Sequence, residues 1–308
     1  MDISWADRLV LFGPALSAAL LAGLVCPLVG SLLYLRRTSF YGITLPQFAS
    51  AGVVFGFVVL PWWIVHVGLG ALTIDVALSD SHAAMNFHIV WASLFTFGGL
   101  LALVWLGRRG GSEVGRVAAA FALANAATFV FGRISPIGRS FVDELLQGEI
   151  LGVGLHELET VAVVFGAVLV LLCLFRRDLL VTSFDREFAL VLGKRVLLFE
   201  TLLNVLTGAT IAVGTITLGP TILFGLLVVP PLAARAWARS MSAYWLLAPV
   251  FGVLAVVGGV VASFELDLPL GAAVVGAAGL LLVPRPAMAR LVKAAWTALH
   301  RDRQSARA

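Results

Sequence analysis

Residues 9–35 read LVLFGPALSAALLAGLVCPLVGSLLYL and stop at Arg36-Arg37. No charged side chain interrupts the stretch, and it exceeds the ~20 apolar residues that carry an α-helix across a bilayer core. It is too long for the apolar part of a signal peptide. Asp2 and Asp7 stand where such a peptide would be basic, and no small-residue cleavage site follows, so this first helix is expected to be retained. The same pattern recurs along the chain. Between charged or Gly/Pro punctuation, apolar runs fall at Leu9–Leu35, Thr44–Val65, Ile89–Leu106, Val117–Gly132, Thr160–Phe175, Val196–Thr217, Leu218–Ala234, Tyr244–Phe264 and Leu268–Val283. None alternates apolar and polar residues as a membrane β-barrel strand must. The predicted fold is therefore all-α, a polytopic membrane bundle of eight to nine transmembrane helices forming one domain over 1–308. The count turns on the short fourth and fifth runs and on the Gly219-Pro220 break between the sixth and seventh.

Composition agrees. Of the 308 residues, 60% are hydrophobic and 12% charged, where soluble domains carry roughly 25% charged residues; mean hydropathy is +1.02. These values exclude a soluble enzyme, a nucleic-acid binder and a disordered chain. Several runs are rich in Gly and Ala, which lets helices approach closely, with Ala272 and Gly276 one such pair. The two cysteines, Cys26 and Cys173, lie inside apolar runs and read as small buried hydrophobes rather than a disulfide framework.

The net charge of +4 is unevenly distributed. Threading nine spans with the N-terminus outside leaves only Arg8, Arg133 and Arg139 of the 21 Lys and Arg residues on the outer side. Basic residues concentrate on the cytoplasmic side of membrane proteins, so the expected topology is N-out and C-in. The basic tail at about 285–308 then lies in the cytoplasm beside anionic lipid headgroups and not on a nucleic acid.

Enzymatic motifs are missing. His156-Glu157-Leu158-Glu159-Thr160 begins like a zinc-protease helix, but Thr160 stands where a second His is required. There is no G-x-S-x-G nucleophile turn. Gly193-Lys194 is followed by Arg195, and Phe188 occupies the earlier glycine position of a phosphate-binding loop. If ATP drives this protein, another chain binds it; the chain itself is expected to be neither an enzyme nor a cofactor carrier.

The segment between the fifth and sixth runs has the marks of a short cytoplasmic helix. Ser183 or Asp185 can cap it, Glu187 suits its first turn, and Gly193 can end it before Lys194-Arg195. Phe188, Ala189 and Leu192 would form its apolar side, resting on the interface or inserted into a cytoplasmic partner. Other polar residues cluster on the predicted outer side: His66, His82, His88, His156, Asp75, Asp80, Asp143 and Glu144. Imidazole and carboxylate are ligand types for Zn, Mn and Fe, which makes His66, His82 and His88 weak metal candidates; their spacing matches no closed site. Inside the spans, Gln47 sits near the inner end of the second, and Glu200 and Asn204 share a face of the sixth. Polar and ionisable groups at such depth are functional candidates; for Glu200, only five residues past Arg195, a place at the interface is the alternative.

A family resemblance rests on four motifs in order. Asp185-Arg186-Glu187-Phe188-Ala189, closing with Gly193, resembles the cytoplasmic coupling helix of the ABC-3 family of metal-import permeases. Gly219-Pro220 and the aliphatic run that follows, ending Leu226-Leu227-Val228-Val229-Pro230 and then Ala234-Arg235, is similar to that family's glycine, aliphatic run and Leu-Leu-Val-Ile-Pro. Ser263-Phe264-Glu265-Leu266-Asp267-Leu268-Pro269-Leu270-Gly271 resembles its outer turn. Arg36-Arg37-Thr38-Ser39-Phe40-Tyr41-Gly42 resembles its approach to the second span.

The resemblance implies a permease of the inner (plasma) membrane of a bacterium, dimerised around a translocation pathway. It implies two cytoplasmic ATPase subunits, an extracytoplasmic binding protein, a second permease copy and inward movement of zinc, manganese or iron. It places coupling at Asp185, Glu187, Ala189 and Gly193, and structural roles at Gly219, Pro230, Asp267, Pro269 and Gly271. Gln47, Glu200 and Asn204 are expected on the pathway. One departure matters. The family continues past its glycine as Gly-Asp-x-x-x-His-Ala, and this chain has Ile43 and Gln47 in place of that Asp and His. A chelated metal or another small solute therefore stands as an alternative cargo. So does a heterodimer in which this chain is the half without the His.

Overall fold

The computed structural model describes residues 11–67, 85–107, 112–135 and 154–283. The first apolar run forms α1, Gly13–Leu35, with Pro14 in its first turn, where the missing N–H leaves no bond unmade. It ends at Arg37, whose φ of 62° lies in the left-handed region, and the chain turns directly into α2, Tyr41–His66. There follow α3, Met85–Gly107, and α4, Glu113–Ile134, the latter capped by Ser112 Oγ accepting from Gly115 N. Then come α5, Leu155–Leu174, and two short helices, α6, Arg176–Phe184, and α7, Arg186–Val191. The set closes with α8, Val196–Trp237, α9, Met241–Leu266, and α10, Leu270–Leu280. The described residues contain no strand.

The 42 residues of α8 are two crossings joined by a reversal. A straight helix of that length would run about 63 Å, roughly twice the hydrocarbon thickness. Gly219 breaks it at φ 77°, ψ 157°, a conformation open essentially only to glycine. Pro220 disfavours helical geometry in the residue before it and has no N–H to donate. Leu223 packs on Gly214 across the break, although in a continuous helix those residues would lie about 13 Å apart. Both ends of α8 also reach the same end of the bundle: Glu200 contacts Arg36 just after α1, and Arg235 shares a cavity with Leu35. The sixth and seventh predicted spans are therefore the two arms of α8, antiparallel across Gly219.

α1 and α8 form the hub. Both are buried over most of their length, whereas α3, α4 and α5 are buried over less than a third of theirs. Backbones touch where glycine allows it. A Cβ on Gly30 would overlap the Leu227 carbonyl, and one on Gly252 of α9 would overlap the carbonyl of Gly23 of α1. The outward surface is apolar, with Leu101, Leu123, Val163 and Val170 all well exposed, as a lipid-facing surface requires.

Several expectations change. The fourth and fifth spans are full helices of 22 and 20 residues. The ninth is an 11-residue helix, about 16 Å long and shorter than a bilayer core. Helix α6 was not anticipated. Ala272 and Gly276 are exposed, and a Cβ on Gly276 would meet nothing within 4 Å among the described residues. Cys26 is buried as expected, but Cys173 is exposed on the outward side of α5.

The two uses of glycine are separable by substitution. Gly219→Ala forces a side chain into a conformation costing about 1–3 kcal/mol, and Gly30→Ala drives a methyl into backbone that cannot give way. Both should lower the melting temperature of the purified protein in detergent by several degrees. Gly166→Ala, with no atom within 4 Å of the added methyl, should leave it unchanged; equal melting temperatures for all three would contradict this packing.

Candidate functional site

The end of the bundle that carries Arg36 also carries most of the described basic residues. Helix α7 lies there, and each of its boundaries has a chemical cause. Asp185 Oδ1 accepts from Phe188 N at 2.9 Å, capping the first turn, and Glu187 sits in that turn where the helix dipole favours a negative charge. At the other end Gly193 has φ +70°; its N–H reaches Leu190 O at 2.9 Å and Lys194 N–H reaches Ala189 O at 3.0 Å, satisfying terminal carbonyls. Asp185, not Ser183, is thus the cap, and Gly193 ends the helix as expected. The apolar side differs from expectation. Ala189 is fully buried against the bundle, and the outward residues are Phe188, Leu190, Val191 and Leu192, with Val191 85% exposed. Phe184 and Phe188 rim a groove of about 320 Å³ lined also by Leu180, Val181, Asp185 and Met241. Lys194 Nζ pairs with Asp178 Oδ1 at 2.7 Å, tying the rear of α7 to α6.

Glu200 and Asn204 do share one face, and that face is occupied. Glu200 Oε1 accepts from Arg186 Nε at 3.0 Å and lies 3.7 Å from Arg36 Nη2; Asn204 Oδ1 accepts from Arg36 Nη1 at 3.5 Å. Burial pushes the Arg36 guanidinium below its usual value, and the Glu200 charge opposes that shift. Sequence reasoning missed Arg36 and Arg186 as partners of Glu200. Both were visible as basic residues at helix ends, but only tertiary packing brings them to Glu200, Arg36 from far away in the sequence and Arg186 from 14 residues before it.

Gln47 lies on α2 with its Oε1 buried and without a hydrogen-bond partner, an arrangement that costs free energy unless something polar meets it. The hydroxyls of Thr207 and Thr215 on α8 are likewise buried and unpaired. The histidines do not converge. His66 is exposed, stacks on Trp62 and bonds through Nδ1 to the Trp62 carbonyl at 2.9 Å. His88 is buried on α3, stacked on Phe57, with Nδ1 3.2 Å from Val53 O and Nε2 unpartnered. Phe57 lies about 13 Å before His66 along α2, so the two imidazoles serve no common ion. Among the described residues no group of three or more His, Cys, Asp and Glu could hold a metal. His82, Asp75, Asp80, Asp143, Glu144 and the 285–308 tail lie outside the described residues.

The remaining motif residues sit at turns and packing points. Asp267 takes a left-handed conformation, φ 52°, ψ 45°, to close α9, which aspartate tolerates better than most residues. Its N–H and that of Leu268 bond to Ser263 O, and Ser263 Oγ donates to Leu268 O at 2.7 Å. Pro269 then starts α10 and Gly271 is buried in its first turn. Pro230 is buried in the second arm of α8.

The chain is 26% identical over 268 residues to the manganese transport system membrane protein MntC of Halalkalibacterium halodurans, covering 85% of this chain and 81% of that one. It is 24% identical over 271 residues to the chelated iron transport system membrane protein YfeD of Yersinia pestis, covering 85% and 80%. Its fold matches a chain of PsaBC from Streptococcus pneumoniae, solved in complex with Fab, with a TM-score of 0.72 and 20% identity over 94% of this chain and 98% of that one. The sequence profile of the ABC 3 transport family matches residues 9–289, and the chain belongs to that family.

Proposed function

We propose that this chain is the membrane-spanning permease of an ATP-binding-cassette importer that moves a divalent transition metal inward, zinc or manganese before iron. The observation that carries the reading is α7. A six-residue helix is too short to stand alone in water; this one is capped at both ends and presents Phe188, Leu190, Val191 and Leu192 outward beside a groove. A cytoplasmic ATPase dimer supplies the energy and docks on α7. A second permease copy completes the pathway, and an extracytoplasmic binding protein delivers the cargo. Gln47 lines the route, and Glu200 and Asn204 stand at its cytoplasmic mouth. The test is reconstitution in liposomes with the ATPase and binding protein, assayed against a panel of metal ions.

A second reading, transport of a chelated metal, is favoured by Ile43, by the uncharged Gln47 and by the lack of a ligand cluster among the described residues. An amide oxygen is a poor ligand for a borderline metal but a good partner for a polar chelate. Gln47→His separates the two. For a free ion it should preserve or strengthen metal dependence of uptake, and for a chelate, or a partner copy that supplies the ligand, it should be neutral or harmful. Gln47→Leu should reduce uptake in either case. Unchanged uptake of every cargo by Gln47→Leu would remove this residue from the route.

Docking through α7 is tested by Gly193→Val, which strains the φ +70° end of the helix, and by Glu187→Lys, which reverses the charge in its first turn. Either change should abolish ATPase co-purification or cargo-stimulated ATP hydrolysis, with the bundle still inserted. Wild-type hydrolysis and transport in both variants would exclude the role.

The basic end faces the cytoplasm in this reading. With Cys26 and Cys173 replaced, an impermeant thiol reagent added outside cells should label Leu268→Cys and leave Ser240→Cys unlabelled. The reverse pattern would invert the topology.

A further inference from the structure

Three elements meet at one carboxylate oxygen. Oε1 of Glu200, in the first turns of α8, accepts from Nε of Arg186, the first residue of α7, at 3.0 Å. It also lies 3.7 Å from Nη2 of Arg36, the residue after α1. One turn further along α8, Asn204 holds the other terminal nitrogen of Arg36. The two arms differ in burial: the Arg186 side chain is 60% exposed, whereas those of Arg36 and Glu200 are 22% and 19% exposed. The outer arm is thus a solvated ion pair that adds little to stability. The inner arm is partly desolvated, and removing one partner would strand a charge there. Apart from buried Ala189 and the Lys194–Asp178 pair behind it, α7 has this contact as its polar connection to the bundle among the described residues.

We propose that Glu200 is a positioning residue for transport. It ties α7 to the ends of α1 and α8, so that displacement of α7 by the ATP-driven partner is passed to the two helices forming the hub. The proposal rests on the reading of α7 as the docking helix. It assigns Arg186 a role that docking alone does not need, because Arg186 points back to Glu200.

The test uses the permease assembled with its ATPase in nanodiscs, with spin labels at the exposed positions Leu20 on α1 and Leu123 on the peripheral helix α4. Distances are read by pulsed electron resonance in the nucleotide-free and vanadate-trapped states, which requires no knowledge of the cargo. Trapping should shift the wild-type distance distribution. Arg186→Ala, a change at an exposed side chain, should keep the ATPase bound and cut the shifted fraction at least threefold, and Arg186→Lys should restore most of it. Glu200→Gln should reduce the shift at least as much, and adding Arg186→Ala to it should bring no further loss. Because Glu200 also stands at the mouth of the route, Arg186→Ala decides the matter: a wild-type shift in that variant overturns the proposal. Phe188→Asp provides the separate control. Loss of the ATPase supports docking through α7, and full retention overturns the docking reading and this proposal with it.

Discussion

A bilayer core offers no water to an unpaired peptide group, and that constraint organises the chain. Every N–H and C=O at depth must find a partner within the protein, so each apolar run becomes a helix and non-helical backbone is confined to places where it is covered. Gly219 is such a place. Its backbone leaves helical geometry while buried, and Pro220 beside it has no N–H to satisfy. The reversal brings both arms of α8 against α1, and the Gly30–Leu227 contact brings two backbones together where any side chain would hold them apart. Helix association in lipid gains little from the hydrophobic effect and depends on such close packing. The small residues of α1 therefore fix the hub as much as its leucines do.

The bundle treats its two ends differently. At the end opposite the basic one, α9 and α10 are joined by a tight turn through Asp267, closed by Ser263 and Pro269. At the basic end the chain spends residues 175–195 outside the spans, building α6 and α7. A connection between α5 and α8 could be far shorter. The extra length makes a helix with its own cap, its own glycine stop and an apolar outward side. Such a segment contributes little to the stability of the monomer, and its features suit contact with another protein.

The helices were legible in the sequence because hydropathy over ~20 residues is a strong signal, and α7 was legible because Asp185 and Gly193 have specific backbone roles. Gly219-Pro220 announced a break, the nine-span threading required the chain to reverse there, and the contacts of Leu223 and Arg235 show that it does. The inward turn of Ala189 could not be read from one helix alone, since burial depends on which face meets α6 and α8. The fate of Glu200 was hidden for a related reason. A carboxylate five residues past Arg195 reads as pathway or interface by position, and its partners, Arg36 and Arg186, come from the ends of two other helices.

The arrangement around Glu200 also bears on the departure at Ile43 and Gln47. A permease needs a polar route and a means of moving its walls, and these demands are separable in the structure. The parts proposed to move the walls, α7 with its caps, Arg186, Glu200 and Arg36, have their polar groups paired with one another. The route proposed at α2 has Ile43 and Gln47 where the family resemblance leads one to expect Asp and His, and buried oxygens without partners stand at Gln47, Thr207 and Thr215. Unpaired oxygens at depth are costly in a purely structural core. They are tolerable where water or a polar cargo passes and supplies the missing donors. On the proposed reading, a change of cargo then needs substitutions on α2 and the first arm of α8 and leaves the coupling end as it is.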